Sequence, residues 1–260
     1  MVRSLGTCRL CLVSGSPLAN SHFVPRFAYK RMRTVTATNQ NPVQITRFDV
    51  KQTSRQQAAY VLCRDCERLL SGGGEEYVSR ICWQAHGKFQ LRKDLHRTKP
   101  IDFRGTFRIY QSSAIPDLDV AKLTYFGASI LWRASIWSSL NPNLHKARLE
   151  AALEERLRLF LKGQSGFPED VTVYLTVVDE PKTRVDPEYG KLVVFPYKFP
   201  NEEAYWFALC GLAYLFKVKA DSRVAPSTFF PGGQICLAEA RDIGVYIDAQ
   251  RTISRIRRVR

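Results

Sequence analysis

Hydrophobic positions recur at helical spacing in the middle of the chain and predict two consecutive helices. The first covers residues 117–140, where the recurring apolar side chains are Leu118, Leu123, Phe126, Ile130, Trp137 and Leu140. Pro116 stands just before it and Asn141-Pro142 closes it, as at helix boundaries. The second covers residues 144–162 and ends at Gly163, with Leu149, Leu153, Leu157 and Phe160 on one side. Two long helices are therefore expected here.

Shorter apolar runs predict strands on both sides of these helices. On the C-terminal side they cover 171–178, 191–198, 205–218 with a bend at Gly211, and 235–237. On the N-terminal side they cover 34–41, 43–50 and 58–62, and a helix is expected to start near Cys66. Ser71-Gly72-Gly73-Gly74 should interrupt that helix, since each interior glycine costs about 1 kcal/mol relative to alanine. We interpret the glycines as a hinge.

These elements predict an α+β fold in three parts. An N-terminal domain over residues 1–87 carries the cysteine pairs described below. Residues 84–108 are basic, lack clear periodicity and contain the break Lys99-Pro100, so a basic connector is expected over 88–115. A C-terminal α+β domain over 116–260 would pack two long helices on a small antiparallel sheet.

Charge is distributed unevenly along the 260 residues. The chain holds 39 Lys+Arg and 24 Asp+Glu, a net charge of +15, and 45% of its residues are hydrophobic, which is ample for a packed core. Residues 1–110 carry 19 of the basic and 7 of the acidic residues, or +12. This asymmetry predicts a polyanionic partner, nucleic acid above all, because Lys and Arg contacts to phosphates release counterions. A basic surface that only aids solubility is the alternative.

The N-terminus and the apolar runs bear on location. Residues 1–6 lack the apolar core of a secretory signal, and the longest apolar run, 206–216, is shorter than the roughly 20 residues that span a bilayer. We therefore expect a cytoplasmic protein with no membrane partner. In a reducing compartment, paired cysteines need an explanation other than disulfides.

Four of the seven cysteines stand in two C-x2-C pairs, Cys8 with Cys11 and Cys63 with Cys66. In this spacing two thiolates from one tight turn can bind the same tetrahedral ion. The pattern predicts a structural Zn²⁺ ion held by all four, with a dithiol redox site or an iron–sulfur cluster as alternatives. The remaining cysteines stand in apolar surroundings and are expected to be buried core thiols: Cys82, Cys210 and Cys236.

A histidine motif lies between the two pairs, and with them it resembles the HNH endonucleases. The motif is Ser21-His22-Phe23-Val24-Pro25, and the second pair stands in Leu62-Cys63-Arg64-Asp65-Cys66-Glu67 with Gly74-Glu75 following. These segments are similar to a group of uncharacterised bacterial HNH-like proteins. The similarity includes a later motif, Lys122-Leu123-x-Tyr125-Phe126-x-x-Ser129-Ile130-x-Trp132-Arg133-Ala134-Ser135. The HNH part covers about a third of the chain.

The resemblance implies a zinc-bound treble clef, a β-hairpin followed by a helix, that holds a nuclease site. His22 takes the position of the general base for hydrolysis of phosphodiester bonds, beside a catalytic Mg²⁺ or Mn²⁺ ion. A histidine that orients another site residue or stabilises the hairpin is the alternative. Two positions depart from the family: Ser21 replaces a metal-binding Asp, and Glu67 replaces an Asn or His. Carboxylates of Glu67 and Glu75 would then serve as ligands. DNA is the expected substrate in preference to RNA, and bacterial defence is the role expected by analogy.

A different class of function stays open beside the nuclease. In it the chain is a non-catalytic, zinc-stabilised module that binds nucleic acid or another protein, and Glu67 serves only the helix dipole. Four basic residues that follow the histidine are expected to contact a nucleic-acid backbone: Arg26, Lys30, Arg31 and Arg33. Arg133, inside an apolar helix, is expected to pair with a buried acid, with contact to nucleic-acid phosphates as the alternative. A protein partner, an oligomer or a regulatory C-terminal domain also remain open.

Overall fold

The computed structural model describes residues 4–32, 43–45, 50–52, 56–84, 88–140, 147–179, 193–218 and 234–239. The helices in these ranges are α1 (Arg26–Met32), α2 (Arg64–Leu70), α3 (Glu76–Ile81), α4 (Gln90–Arg97), α5 (Val120–Leu140) and α6 (Ala151–Leu161). The strands are β1 (Leu5–Gly6), β2 (Ser16–His22), β3 (Val43–Ile45), β4 (Val50–Gln52), β5 (Ala58–Cys63), β6 (Asp102–Arg104), β7 (Phe107–Gln111), β8 (Val171–Asp179), β9 (Val193–Lys198), β10 (Ala204–Leu209), β11 (Leu212–Val218) and β12 (Gln234–Glu239). This mixture of helices and sheets confirms the α+β prediction.

The N-terminal region is built on a small antiparallel sheet of order β1-β2-β5. Strand β2 pairs with β5 from Leu18 opposite Cys63 to His22 opposite Ala58. Helix α2 begins at Arg64, directly after β5, so strand and helix form one continuous unit. Strands β3 and β4 pair only with each other, in place of one return strand over 43–50. The strand expected over 34–41 lies outside the described residues.

The α-helix that begins at Arg64 is interrupted at the predicted glycines, but by a π-helical turn and not by a break in the helical path. Residues Ser71–Glu75 form a π-helical turn that joins α2 to α3 in one helical stretch. The glycines let this stretch lie directly against α5. A Cβ atom added to Gly74 would stand 2.8 Å from the Lys122 carbonyl oxygen, and one on Gly73 would stand 2.3 Å from the Tyr125 ring. Close packing between helices therefore explains these glycines better than flexibility does.

Regular structure also occupies the segment expected to be a basic connector. Within 88–115 the chain forms α4, β6, β7 and a 3₁₀ turn at Ser112–Ala114. Helix α4 buries Leu91 and Leu95, one helical turn apart, and exposes Lys93 between them. Because each element is short, its apolar pattern is too brief to stand out. The boundaries at 87/88 and 115/116 stay a prediction.

One sheet of seven strands replaces the small antiparallel sheet that was expected. Its order is β6-β7-β12-β8-β11-β10-β9, and β12 pairs parallel to β8 while the other neighbours are antiparallel. The predicted strand over 205–218 is a hairpin of β10 and β11. Its two-residue turn has Cys210 at φ 49° and Gly211 at φ 78°, the pairing of positive angles that tight hairpins favour.

Helix α5 lies at the centre of the described structure. It is buried on every side from Phe126 to Ser138, and α6 packs against it. The predicted α5 is confirmed, whereas α6 begins at Ala151, later than expected. The apolar core is continuous from Cys8 to Leu237. No helix in the described ranges is long and apolar enough to cross a membrane.

Candidate metal centre

The four predicted ligands come together at one end of the small sheet. Cys8 and Cys11 lie in the turn between β1 and β2, Cys63 is the last residue of β5, and Cys66 lies in the first turn of α2. Their sulfur atoms all lie within 4.8 Å of one another. The cluster could therefore bind a metal ion, as the spacing predicted.

Backbone hydrogen bonds fold the first pair into a tight knuckle. The Leu12 amide donates to the Cys8 carbonyl at 2.8 Å, and the Cys8 amide donates to the Val13 carbonyl at 3.1 Å. Leu12 takes a left-handed conformation with φ 63°, which reverses the chain after Cys11. The Arg9 amide donates to Val61 of β5 at 2.9 Å, so the knuckle is held against the strand that carries Cys63.

The surroundings shift the pKa values of the Cys8, Cys11 and Cys66 thiols in different directions. Burial raises the pKa of the Cys8 thiol, but hydrogen bonds from the backbone at Cys11, Cys63 and Leu10 outweigh it and bring the pKa to about 7. The Cys63 amide stands 3.3 Å from the Cys8 sulfur. Burial raises the pKa of Cys11 and Cys66. A bound metal ion would replace the protons on these thiols, because only thiolates ligate metals.

Basic side chains surround the cluster. A cleft of about 390 Å³ opens beside it, and Arg64 and Lys162 line this cleft together with Cys11, Val13, Ser16, Pro17, Cys63, Asp65 and Cys66. Arg158 donates to the Leu10 carbonyl at 2.8 Å, which holds a third cation next to the knuckle. Four thiolates around a divalent ion carry a net charge of −2, which Arg64 and Lys162 would partly offset in an occupied site. Arg158 is already paired with Glu155 at 2.7 Å.

His22, the predicted general base, lies at the end of β2. Its side chain is partly exposed, and its ring centroid is 6.2 Å from that of Tyr29. Tyr29 is itself fixed, since its hydroxyl accepts a hydrogen bond from the Gln57 amide at 3.2 Å. The neighbouring Ser21 is buried, and its hydroxyl donates to the Ala19 carbonyl at 3.4 Å. The Ser21 hydroxyl therefore contacts the backbone of its own strand, β2.

The two predicted carboxylate ligands differ in their surroundings. Glu67, on α2, has a buried Oε1 atom with no hydrogen-bond partner. The Oε1 atom of Glu75 lies 2.7 Å from Nη1 of Arg133, and these side chains are 16% and 2% exposed. The prediction that Arg133 pairs with a buried acid is confirmed. In the described part of the chain, the cysteine cluster alone groups three or more such ligands, so His22, Glu67 and Glu75 do not surround one ion.

The four basic residues predicted to contact nucleic acid fall into three groups. Arg26 and Lys30 are exposed on α1. Arg31 turns inward, where it donates to the Cys82 sulfur at 2.6 Å and to the Ser79 carbonyl, and its guanidinium lies 4.8 Å over the Phe27 ring. Arg31 is thus engaged inside the protein. Arg33 lies outside the described residues.

Two side-chain clusters were missed by sequence reasoning. One joins Arg31 to Cys82, as described. The other joins α4 to the end of β8: His96 Nε2 lies 3.0 Å from Oδ1 of Asp179, and Arg108 contacts the second oxygen of the same carboxylate. Sequence spacing gives no signal for either cluster, because the partners are far apart in the chain and are brought together only by the fold.

Comparison with known proteins adds nothing to this geometry. No family model, curated protein or solved structure matches the chain. The functional interpretation therefore depends on the arrangement of the metal centre, of His22 and of Glu67, and on the resemblance of their motifs to HNH endonucleases.

Proposed function

We propose that the chain is a zinc-stabilised, metal-dependent endonuclease of the HNH type that hydrolyses phosphodiester bonds in nucleic acid, DNA in preference to RNA. One observation carries the proposal. An antiparallel strand pair, β2 and β5, runs directly into helix α2, four sulfurs within 4.8 Å tie these elements together, and His22 ends the first strand. This order of elements agrees with a treble clef, the unit that the resemblance implies.

The four-cysteine centre would hold Zn²⁺ in a structural role. Soft thiolates select zinc over magnesium or calcium, and four of them fill its tetrahedral shell. A closed site of this kind leaves no position for water, so it serves folding and not catalysis. Its contribution would be to fix the end of β5 and the start of α2, which carries Glu67.

His22 would act as the general base. Its side chain is partly exposed at a strand end, where water can reach it, and an imidazole nitrogen can accept a proton from that water as it attacks a phosphate. Glu67 supplies a carboxylate oxygen without a hydrogen-bond partner. Mg²⁺ is commonly bound by one or two carboxylates together with substrate phosphates, and such an ion would stabilise the leaving oxygen. Glu75 is paired with Arg133 through Oε1, so the proposal gives the ligand role to Glu67.

Exposed basic residues would hold the substrate. Arg26 and Lys30 follow His22 closely and are exposed on α1, so they can contact phosphates on either side of the scissile bond. The +12 charge of residues 1–110 would strengthen this binding at low salt. Cytoplasmic location and action on foreign DNA complete the proposal by analogy.

Nicking of supercoiled plasmid tests the proposal. The zinc-loaded protein is incubated with Mg²⁺ or Mn²⁺ beside three variants: His22→Ala, Glu67→Gln and, as a control, His96→Ala, an exposed histidine outside the proposed site. Loss of a general base slows hydrolysis by about 10²–10⁴-fold. We expect that loss for His22→Ala, a comparable loss for Glu67→Gln and none for the control. Equal cleavage by the His22 variant and the wild type would overturn the assignment of the base.

A second candidate is a non-catalytic module that binds nucleic acid. It is favoured by the pairing of Glu75 with Arg133 and by the burial of Ser21, which together leave fewer free ligands than the family pattern has. In that case no variant and no metal ion would produce nicking. Labelled duplex DNA would still bind the wild type, and the double variant Arg26→Ala, Lys30→Ala would bind it more weakly.

A further inference from the structure

A charged cluster of two cysteines and one arginine lies away from the metal centre. Cys82 follows α3, and Cys210 lies in the turn between β10 and β11. The Trp83 amide donates to the Cys210 carbonyl at 3.0 Å, which holds the two backbone segments side by side. Nη1 of Arg31 lies 2.6 Å from the Cys82 sulfur. Both cysteines are buried.

The backbone at Cys210 is unusual for this residue type. Cys210 and Gly211 form a two-residue hairpin turn in which both φ angles are positive, 49° and 78°. Asn, Asp and Gly are the residues that such a turn favours, because other side chains meet their own backbone in the left-handed region. A cysteine that tolerates this conformation points to a role for its sulfur.

The pKa values of the two thiols are shifted in opposite directions. Burial acts to raise the pKa of Cys82, but the hydrogen bond from Cys210 and the positive charge of Arg31 outweigh it, so the pKa is lowered. The neighbouring Cys82 sulfur and burial together raise the pKa of Cys210. Cys236 gives the contrast, since burial raises its pKa to about 12. The cluster thus pairs a nucleophilic sulfur with a thiol that can attack it once it is oxidised.

We propose that Cys82 and Cys210 form an oxidation site at which hydrogen peroxide produces a disulfide. The Cys82 thiolate attacks one peroxide oxygen, the O–O bond breaks, and after proton uptake the products are Cys82 sulfenic acid and water. The Cys210 thiol then attacks the sulfenic sulfur, forms the S–S bond and displaces a second water. Two thiols lose two electrons and peroxide gains them, so the step balances.

Arg31 would make Cys82 sensitive to oxidation, and it would link disulfide formation to helix α1. A buried thiol without a cation is inert, whereas a thiolate paired with a guanidinium is the reactive form. Arg31 is partly exposed and contacts the Cys82 sulfur, so a small oxidant would reach the buried sulfur along this side chain. The disulfide would remove the negative charge that Arg31 faces. Helix α1, which carries Arg31, would then lose its contact with Cys82, whatever reaction the protein catalyses.

Peptide mapping of the wild type gives the direct test. The full-length, zinc-loaded protein is treated with hydrogen peroxide, blocked with an alkylating agent and digested without reductant. We expect a peptide pair cross-linked through Cys82 and Cys210 and a retained metal ion. A disulfide among the four clustered cysteines with Cys82 and Cys210 alkylated, or alkylation of all seven, would overturn the proposal.

Variants separate the two sulfurs. Asn suits the left-handed turn, so Cys210→Asn keeps the backbone and removes the resolving thiol. In this variant we expect a sulfenic-acid probe to label Cys82, and we expect no label in Cys82→Ser. Arg31→Gln should slow labelling by at least about tenfold, because the cation that favours the thiolate is gone. Cys236→Ser is the matched control, and a cross-link lost in that variant would contradict the assignment.

Discussion

Two glycines of the π-helical turn give opposite predictions for the same substitution. A Cβ atom at Gly72 would meet nothing within 4 Å, whereas at Gly74 it would stand 2.8 Å from the Lys122 carbonyl oxygen and 2.9 Å from the backbone nitrogen of Phe126. Backbone atoms of α5 cannot rotate away as a side chain can. Gly74→Ala must therefore push the two helices apart, while Gly72→Ala changes only the helix itself.

The expected magnitudes follow from two separate effects. Replacing a helical glycine by alanine contributes about 0.5–1 kcal/mol of stability through the unfolded chain, and it should act alike at both positions. Inserting a methyl group into a packed contact costs about 1–3 kcal/mol. Gly72→Ala should therefore stabilise the protein slightly. The difference in unfolding free energy between the two variants isolates the packing cost, about 1–3 kcal/mol.

Urea unfolding of the zinc-loaded protein measures that difference. Tryptophan fluorescence reports it, because Trp132 and Trp137 lie buried on α5. Gly73→Ala offers a graded third case, since its Cβ would meet the Tyr125 ring, whose hydroxyl is held by a hydrogen bond to the Leu161 carbonyl at 2.7 Å. If Gly74→Ala proved as stable as Gly72→Ala, the glycines would not be packing residues and the hinge interpretation would return.

Three further predictions concern charges and the metal centre. Glu75→Ala leaves its arginine partner buried without a counter-ion and should cost about 3–5 kcal/mol in urea unfolding, while Glu76→Ala at the exposed neighbouring position should change stability by less than about 0.5 kcal/mol. Chelation of zinc, or Cys66→Ser, should abolish metal binding by elemental analysis and unfold the N-terminal region by circular dichroism. Arg156 lowers the pKa of Asp170, so their pairing should stabilise the fold fully above about pH 4, the usual pKa of an unfolded Asp, and progressively less as the pH falls through the lowered pKa. Asp170→Asn should cost at most about 1 kcal/mol at pH 7 and less as the pH is lowered below about 4, by urea unfolding.

Local patterns predicted the parts of the structure that are locally determined. Helix α5 follows from its own periodicity and its flanking prolines, and two C-x2-C pairs can each form a knuckle without help from the rest of the chain. Metal-ligand spacing then predicts that the pairs meet. The candidate metal centre was for this reason accessible from sequence, down to each of its four residues.

The pairing of strands that are far apart in the sequence could not be predicted from local patterns. Strand β12 lies between β7 and β8, and its parallel partner β8 is far away in sequence, so no local pattern fixes that order. The helical turn at the glycines after Leu70 was not predicted, for a related reason. Their intrinsic preference disfavours a helix, but the packing of α5 against Gly73 and Gly74 decides the conformation. Tertiary contacts overrode the local preference.

Charged residues were the least predictable part of the candidate site. Arg31 and Glu75 were both expected to face a ligand, and both face the protein interior, toward Cys82 and Arg133. A cation in a basic segment has the same sequence signal whether it contacts phosphate or a buried sulfur. Only the fold, which brings a partner from another part of the chain, distinguishes these roles.

Packing explains most of the His22 motif, but not His22 itself. Phe23, Val24 and Pro25 are buried, and the Phe23 ring lies 5.7 Å from Trp137 and 5.3 Å from Phe195 between centroids. Those residues anchor the strand end in the core under either proposed function. His22 is partly exposed, and a smaller or apolar residue would satisfy the same strand position. The packing around the strand end therefore does not require a histidine at this position. Nicking by the wild type separates a nuclease from a binding module, and His22→Ala then tests whether this side chain is the base.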